Sequence, residues 1–127
     1  MRIEHFALNV AKPAEMAQWY ARNLGMRIVR SSAEPPFAQF LADDSGVMLE
    51  LYCNTAAPVP DRSKDDPLVL HLAFTAKDVK GLRAKLIAAG AKAAGDVTTT
   101  PAGDVLASVR DPWGLAVQLA SRATPLV

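Results

Sequence analysis

Four polar side chains, His5, Glu50, His71 and Gln118, stand inside largely apolar runs at intervals that repeat. His5 precedes Glu50 by 45 residues, and His71 precedes Gln118 by 47. Two imidazoles and a carboxylate are good ligands for Zn, Ni, Co, Fe or Mn, and an amide oxygen is a weaker, neutral one. Donors spread over four strands leave coordination positions open for water and substrate, as a catalytic ion requires. Taken singly, each residue has an ordinary explanation. A strand histidine is most often a hydrogen-bonded core or surface group, and a strand glutamine a satisfied amide. Glu50 is less ordinary, because an unpaired buried carboxylate is costly.

The elements that must position these residues occur twice in one order. A strand from Ile3 to Val10 leads to Pro13, which suits a helix's first turn, and Met16, Trp19, Tyr20 and Leu24 recur at helical spacing. Gly25 is the expected stop, and strands follow near Met26–Ser32, Phe37–Asp43 and Val47–Cys53. The second copy runs from a strand at Leu68–Thr75 to Asp78 as helix N-cap, with Val79, Leu82 and Leu86 as the apolar stripe and Gly90 as the stop. Strands near Ala91–Thr98, Val105–Arg110 and Leu115–Ala120 complete it. "DDSG" and "DPWG" join the last two strands of each copy, and Asp43, Gly46 and Glu50 keep the spacing of Asp111, Gly114 and Gln118.

Strand alternation then assigns faces. Phe6, Leu8 and Val10 share the face expected to meet the helix, and His5, Ala7 and Asn9 share the other. Glu50 travels with Met48 and Tyr52, and Gln118 with Ala116 and Ala120. Four such strands curling together would bring His5, Glu50, His71 and Gln118 onto one concave surface. Cys53 falls on the face opposite Glu50, where burial as a small apolar residue is expected. Arg110, ahead of the second turn, is expected either to meet an anionic substrate or to lie in solvent.

Composition narrows the function classes. The chain has 127 residues, one domain's worth, with a formal charge of +1 and half its residues hydrophobic. No basic stripe supports a nucleic-acid partner, and no apolar run approaches the ~20 residues of a membrane span. The opening "MRIEHFALNV" reads as strand rather than signal peptide, so a cytoplasmic location is expected. With Cys53 the only cysteine, neither an intrachain disulfide nor a Cys-rich zinc site can form. The expected organisation is a single domain over residues 1–127, with a first module at 1–54, a Pro- and Asp-rich linker at 55–66 and a second module at 67–127.

The segments "IEHFALNV", "ARNLGMRIV", "VMLELYCN", "LHLAFTAKDV" and "VRDPWGLAVQLA" resemble the vicinal oxygen chelate superfamily. This group includes glyoxalase I, bleomycin-resistance proteins and extradiol dioxygenases. The resemblance covers essentially the whole chain. It implies an α+β fold of two βαβββ modules forming a cupped mixed sheet around a divalent metal. It also implies a homodimer in which modules of different chains share each site. The pattern is most similar to small bacterial glyoxalase I, whose ligands match at His5, Glu50 and His71. That family places a catalytic carboxylate where this chain has Gln118, and an amide is no general base near neutral pH. Glu50 remains as ligand and proton acceptor. Of the glutathione contacts, Asn54 matches, whereas Asn9 replaces an arginine and the loop "TTTPAGDV" lacks the lysine. Asn9, Tyr52 and Asn54 are the candidate substrate-binding residues.

The resemblance therefore implies a metal-dependent lyase or isomerase acting on a small substrate with vicinal oxygens, other than the standard glutathione hemithioacetal. The alternative is a metal-independent, drug-sequestering protein of the bleomycin-resistance type. An iron-dependent dioxygenase ranks lower, because its two-His-one-carboxylate triad takes its carboxylate from the Gln118 position. A thiol transferase of the fosfomycin-resistance type fails on the same residue.

Overall fold

The computed structural model describes residues 1–127, which fold as two compact units, Met1–Pro60 and Asp61–Val127. The first contains β1 (His5–Asn9), α1 (Pro13–Leu24), β2 (Arg27–Ser31), β3 (Gln39–Ala42) and β4 (Met48–Tyr52). The second contains β5 (His71–Thr75), α2 (Val79–Ala88), β6 (Lys92–Ala93), β7 (Thr98–Thr99), β8 (Val105–Arg110) and β9 (Ala116–Ser121). Their sheets run β1-β4-β3-β2 and β5-β9-β8-β6, with β7 also pairing β8. In each, the first strand lies parallel to the last and the remaining pairs are antiparallel. The fold is α+β, with the two βαβββ copies expected from the sequence. One expected strand is broken. Residues 91–98 hold only the short β6 and β7, separated by a bend in which Gly95 has φ +80°.

Each helix is bounded by the residues its sequence supplies. Pro13 opens α1, where its missing N–H goes unused, and Gly25 closes it in the left-handed conformation at φ +72°. Asp78 caps α2 by accepting from the Gly81 N–H at 2.9 Å. Met16, Ala17 and Tyr20 of α1 are buried with Leu41, Leu49 and Leu51 of the sheet beneath. Leu86 of α2 is buried with Val109, Val117 and Leu119. Each fully buried aliphatic of this kind contributes about 1.5–3 kcal/mol. The helices pack on β2, β3 and β4 and on β6, β8 and β9. The contacts of α1 thus fall mainly on the other three strands, and Phe6 of β1, expected beneath the helix, is 56% exposed. No helix is long and apolar enough to cross a membrane.

The two matched turns are built alike. Gly46 N–H donates to Asp43 O at 3.2 Å, and Gly114 N–H to Asp111 O at 3.0 Å. Each aspartate then accepts two backbone N–H groups on Oδ1: Ser45 and Val47 in the first copy, Trp113 and Leu115 in the second, all at 2.9 Å. Desolvation pushes the Asp43 carboxyl up, but the bonds from Ser45, Val47 and Gly46 together hold it below its usual value. Both glycines sit at strongly positive φ, +87° and +91°.

The segment expected as a linker is only partly free. Arg62–Lys64 form a short 3-10 turn capped by Asp61, and Arg110 reaches across to it. The Arg110 guanidinium donates to the carbonyls of Arg62 (3.0 Å), Gly114 (3.1 Å) and Asp65. It thus staples backbone, in place of either expected role. A Cβ on Gly114 would lie 2.7 Å from Ser63 Cβ, whereas one on Gly46 would meet nothing within 4 Å. Gly46→Ala should cost about 1–2 kcal/mol for the left-handed backbone alone. Gly114→Ala should cost about 1–3 kcal/mol more, because Ser63 must move. Urea denaturation of both variants checks this; equal losses would show that the Ser63 contact carries no energy.

Candidate metal and substrate site

Strand register places the first pair of candidate donors. β1 pairs with β4 so that His5 faces Met48 and Ala7 faces Glu50, which leaves His5 and Glu50 diagonal neighbours on one face. His5 Nε2 lies 3.4 Å from Glu50 Oε2, with the imidazole 37% and the carboxylate 21% exposed. On its other side, His5 Nδ1 meets the Glu4 carboxylate. That hydrogen bond raises the His5 pKa above 6.5; slight desolvation opposes it, and the charges of Glu4 and Glu50 add to it. Phe40, opposite Glu50 on β3, forms a T-shaped pair with the imidazole at 5.8 Å between centroids.

The second copy repeats the arrangement. His71 faces Ala116 and Ala73 faces Gln118, the same diagonal offset on β5 and β9. His71 Nδ1 lies 2.8 Å from Pro67 O. A carbonyl can only accept, so Nδ1 carries the proton of this bond. Both histidines therefore have Nδ1 engaged by an oxygen acceptor, the arrangement that orients ligating imidazoles. The Gln118 amide, half-buried, makes no hydrogen bond within the chain. Gln39 is the contrast: its buried amide bonds Ser31 Oγ, Ser32 O and Phe37 O. No group of three or more His, Cys, Asp or Glu side chains is gathered closely enough to hold an ion. The donors come as pairs, and the chemistry of each pair suits half of a four-ligand shell.

Beside Glu50 an open cavity of about 630 Å³ is lined by Tyr52, Asn54, Cys53, Pro35 and Pro36, among others. Tyr52 and Asn54 thus line the same cavity as Glu50. Asn9 has a different setting. Its amide nitrogen donates to Asn54 O at 3.1 Å, and its oxygen accepts the Asn54 N–H at 2.8 Å, clasping the chain that leaves β4. Cys53 is half-buried and lines the same cavity as Glu50, against the expectation of the opposite face. Alternation lapses because β4 ends at Tyr52, and the Cys53 N–H bonds Pro36 O at 2.7 Å. Sequence reasoning also missed Glu4 and Phe40. Glu4 lies before the strand begins, and Phe40 drew no notice as an aromatic in an apolar run.

The model of the Glyoxalase/Bleomycin resistance protein/Dioxygenase superfamily matches residues 2–119. A comparison with curated proteins found no match. Among solved structures, a glyoxalase I mutant from Zea mays is similar at 24% identity and a TM-score of 0.76. That match covers 97% of this chain and 46% of the maize chain. A glyoxalase-related enzyme from Fulvimarina pelagi matches at 20% identity and a TM-score of 0.73, covering 94% of this chain and 87% of that one. TnmS3, an antibiotic binding protein from a Streptomyces species, matches at 20% identity and a TM-score of 0.72, with 97% of each chain covered. With the family model spanning nearly the whole length and the doubled βαβββ fold in agreement, the chain belongs to the glyoxalase/bleomycin resistance protein/dioxygenase superfamily.

Proposed function

We propose that the protein is a divalent-metal-dependent lyase or isomerase acting on a small substrate with two adjacent oxygens. The observation that carries this reading is the His5–Glu50 pair, with Nε2 3.4 Å from the carboxylate and Nδ1 held by Glu4. His5 and Glu50 would supply half of the ligand set. His71 and Gln118 would supply the rest, from this chain or from a second copy in a cytoplasmic homodimer. The ion, when bound, would provide positive charge against the substrate's vicinal oxygens as negative charge develops there. Glu50 is the proton acceptor. Its carboxylate is the ionisable member of the two equivalent positions, whereas the Gln118 amide can only orient or ligate. Tyr52 and Asn54 would position the substrate body in the adjoining cavity.

A glutathione adduct is disfavoured as substrate. At the position where glutathione-binding relatives carry an arginine, Asn9 offers no charge, and its amide is engaged with the backbone at Asn54. The open cavity and the likeness to an antibiotic binding protein favour a second reading, sequestration of a small molecule without metal chemistry. Ligand binding that is indifferent to chelator would select it.

Metal content after refilling with Ni²⁺ or Zn²⁺ and dialysis tests the first reading. The wild-type protein should retain metal, and His5→Ala and His71→Ala should each bind at least about tenfold more weakly. Equal retention by all three proteins would remove the proposed site. A second expectation follows from the raised pKa of His5. In the metal-free protein its imidazole should titrate above 6.5 by NMR, and Glu4→Gln should bring the midpoint back toward that value. Stabilisation from this protonated pair is full below pH 6.5 and is lost as pH rises through the raised pKa. A wild-type midpoint at or below 6.5 would show that Glu4 does not hold the ring.

A further inference from the structure

The face that carries His5 and Glu50 continues across the sheet to an edge that no expectation addressed. Ala7, Glu50, Phe40 and Arg30 face one another in turn across β1, β4, β3 and β2, forming one row. A bulge between Ile28 and Arg30 inserts Val29 and so turns Arg30 toward Phe40. The Arg30 guanidinium sits over the Phe40 ring, 6.0 Å from its centroid. It has no carboxylate partner and makes no hydrogen bond within the chain, so its donors face outward. Stacking on an aromatic face holds a guanidinium in place while leaving its edge free for a bidentate acceptor.

The repeat provides an internal control. The equivalent row of the second copy is Ala73, Gln118, Ser108 and Ala94, with Ala94 N–H bonded to Ser108 O. The fold therefore requires neither an aromatic nor a cation at these positions. On the other side of Glu50, the cavity that Tyr52 and Asn54 line contains no lysine or arginine. The guanidinium groups on this face of the sheet, Arg27 opposite Ala42 and Arg30 opposite Phe40, both lie on β2, and Arg30 is the one stacked on an aromatic ring.

We propose that Arg30, held over Phe40, is a specificity-determining residue that binds a carboxylate or phosphate group of the substrate. Its backbone lies two strands from that of Glu50, about 10 Å at the usual strand spacing. The substrate is then a compact molecule with its reacting carbon near Glu50 and an oxyanion at the β2 end. This rests on the reading that the Glu50 face is the ligand site, but it does not depend on a bound ion.

The test uses the full-length protein, freed of divalent ions by dialysis, with benzoate, phenyl phosphate and the neutral benzamide titrated by NMR shift perturbation. With divalent ions removed, no probe can bind through a metal, so the result is independent of whether the site holds an ion. At least one anion should bind about fivefold more tightly than benzamide, and whichever anion gains identifies the oxyanion. Arg30→Met should abolish that advantage. Arg22→Met, which removes the same charge from the exposed surface of α1, should preserve it. Equal binding of all three probes, or an advantage that survives in Arg30→Met, would overturn the proposal. Arg30 is exposed, so its replacement leaves the core intact, and a matching thermal midpoint confirms that each comparison is made on folded protein.

Discussion

The closing strand of each copy must pair in parallel with the strand that opened it, and the candidate site depends on the register of that pairing. Ala7 opposite Glu50 and Ala73 opposite Gln118 put a histidine two residues before the pairing point and a second donor at it. A slip of one residue would send Glu50 into the helix-packed layer and Leu49 and Leu51 to the open face. The burial of those leucines opposes the slip, and so does the turn before β4. Asp43 and Asp111 fix where each hairpin reverses by gathering the N–H groups of the turn onto one carboxylate oxygen. Local turn chemistry thus sets the phase of a strand whose partner lies about forty residues earlier in the chain.

Much of this was legible in the sequence because it follows from periodicity. The doubled order of elements, the helix stops, both turns and the face shared by His5 and Glu50 all rest on alternation or on residues with narrow backbone preferences. What alternation could not show were the places where the regular lattice ends. Cys53 lies one residue beyond β4, so its side chain joins the cavity of Glu50. Arg30 follows a bulge, which shifts β2 out of phase. Phe6 is on the face that alternation gives it, yet α1 packs mainly over the other three strands. Arg110 found carbonyl partners 45 and 48 residues away in sequence, which no local pattern encodes.

The two copies share a backbone plan and differ in chemistry. One row carries Glu50, Phe40 and Arg30; its counterpart carries Gln118, Ser108 and Ala94. Family membership accounts for the shared plan. An amide at the second position leaves Glu50 as the base of the proposed reaction. The unpaired Arg30 and the cation-free cavity give the first unit's face a direction. The resulting reading is of a small oxyanion-bearing substrate in place of a glutathione adduct.

The proposed function requires that His5 and His71 bind the same ion, whether they come from one chain or from two. Long-range ¹H–¹⁵N spectra of the histidines during titration with Zn²⁺ address it directly, because His5 and His71 are the only two imidazoles in the chain. Both rings should shift together at Nε2 and saturate at one equivalent of zinc per chain. If only one ring shifts, or the two saturate at different zinc concentrations, the pairs do not share an ion and the account fails.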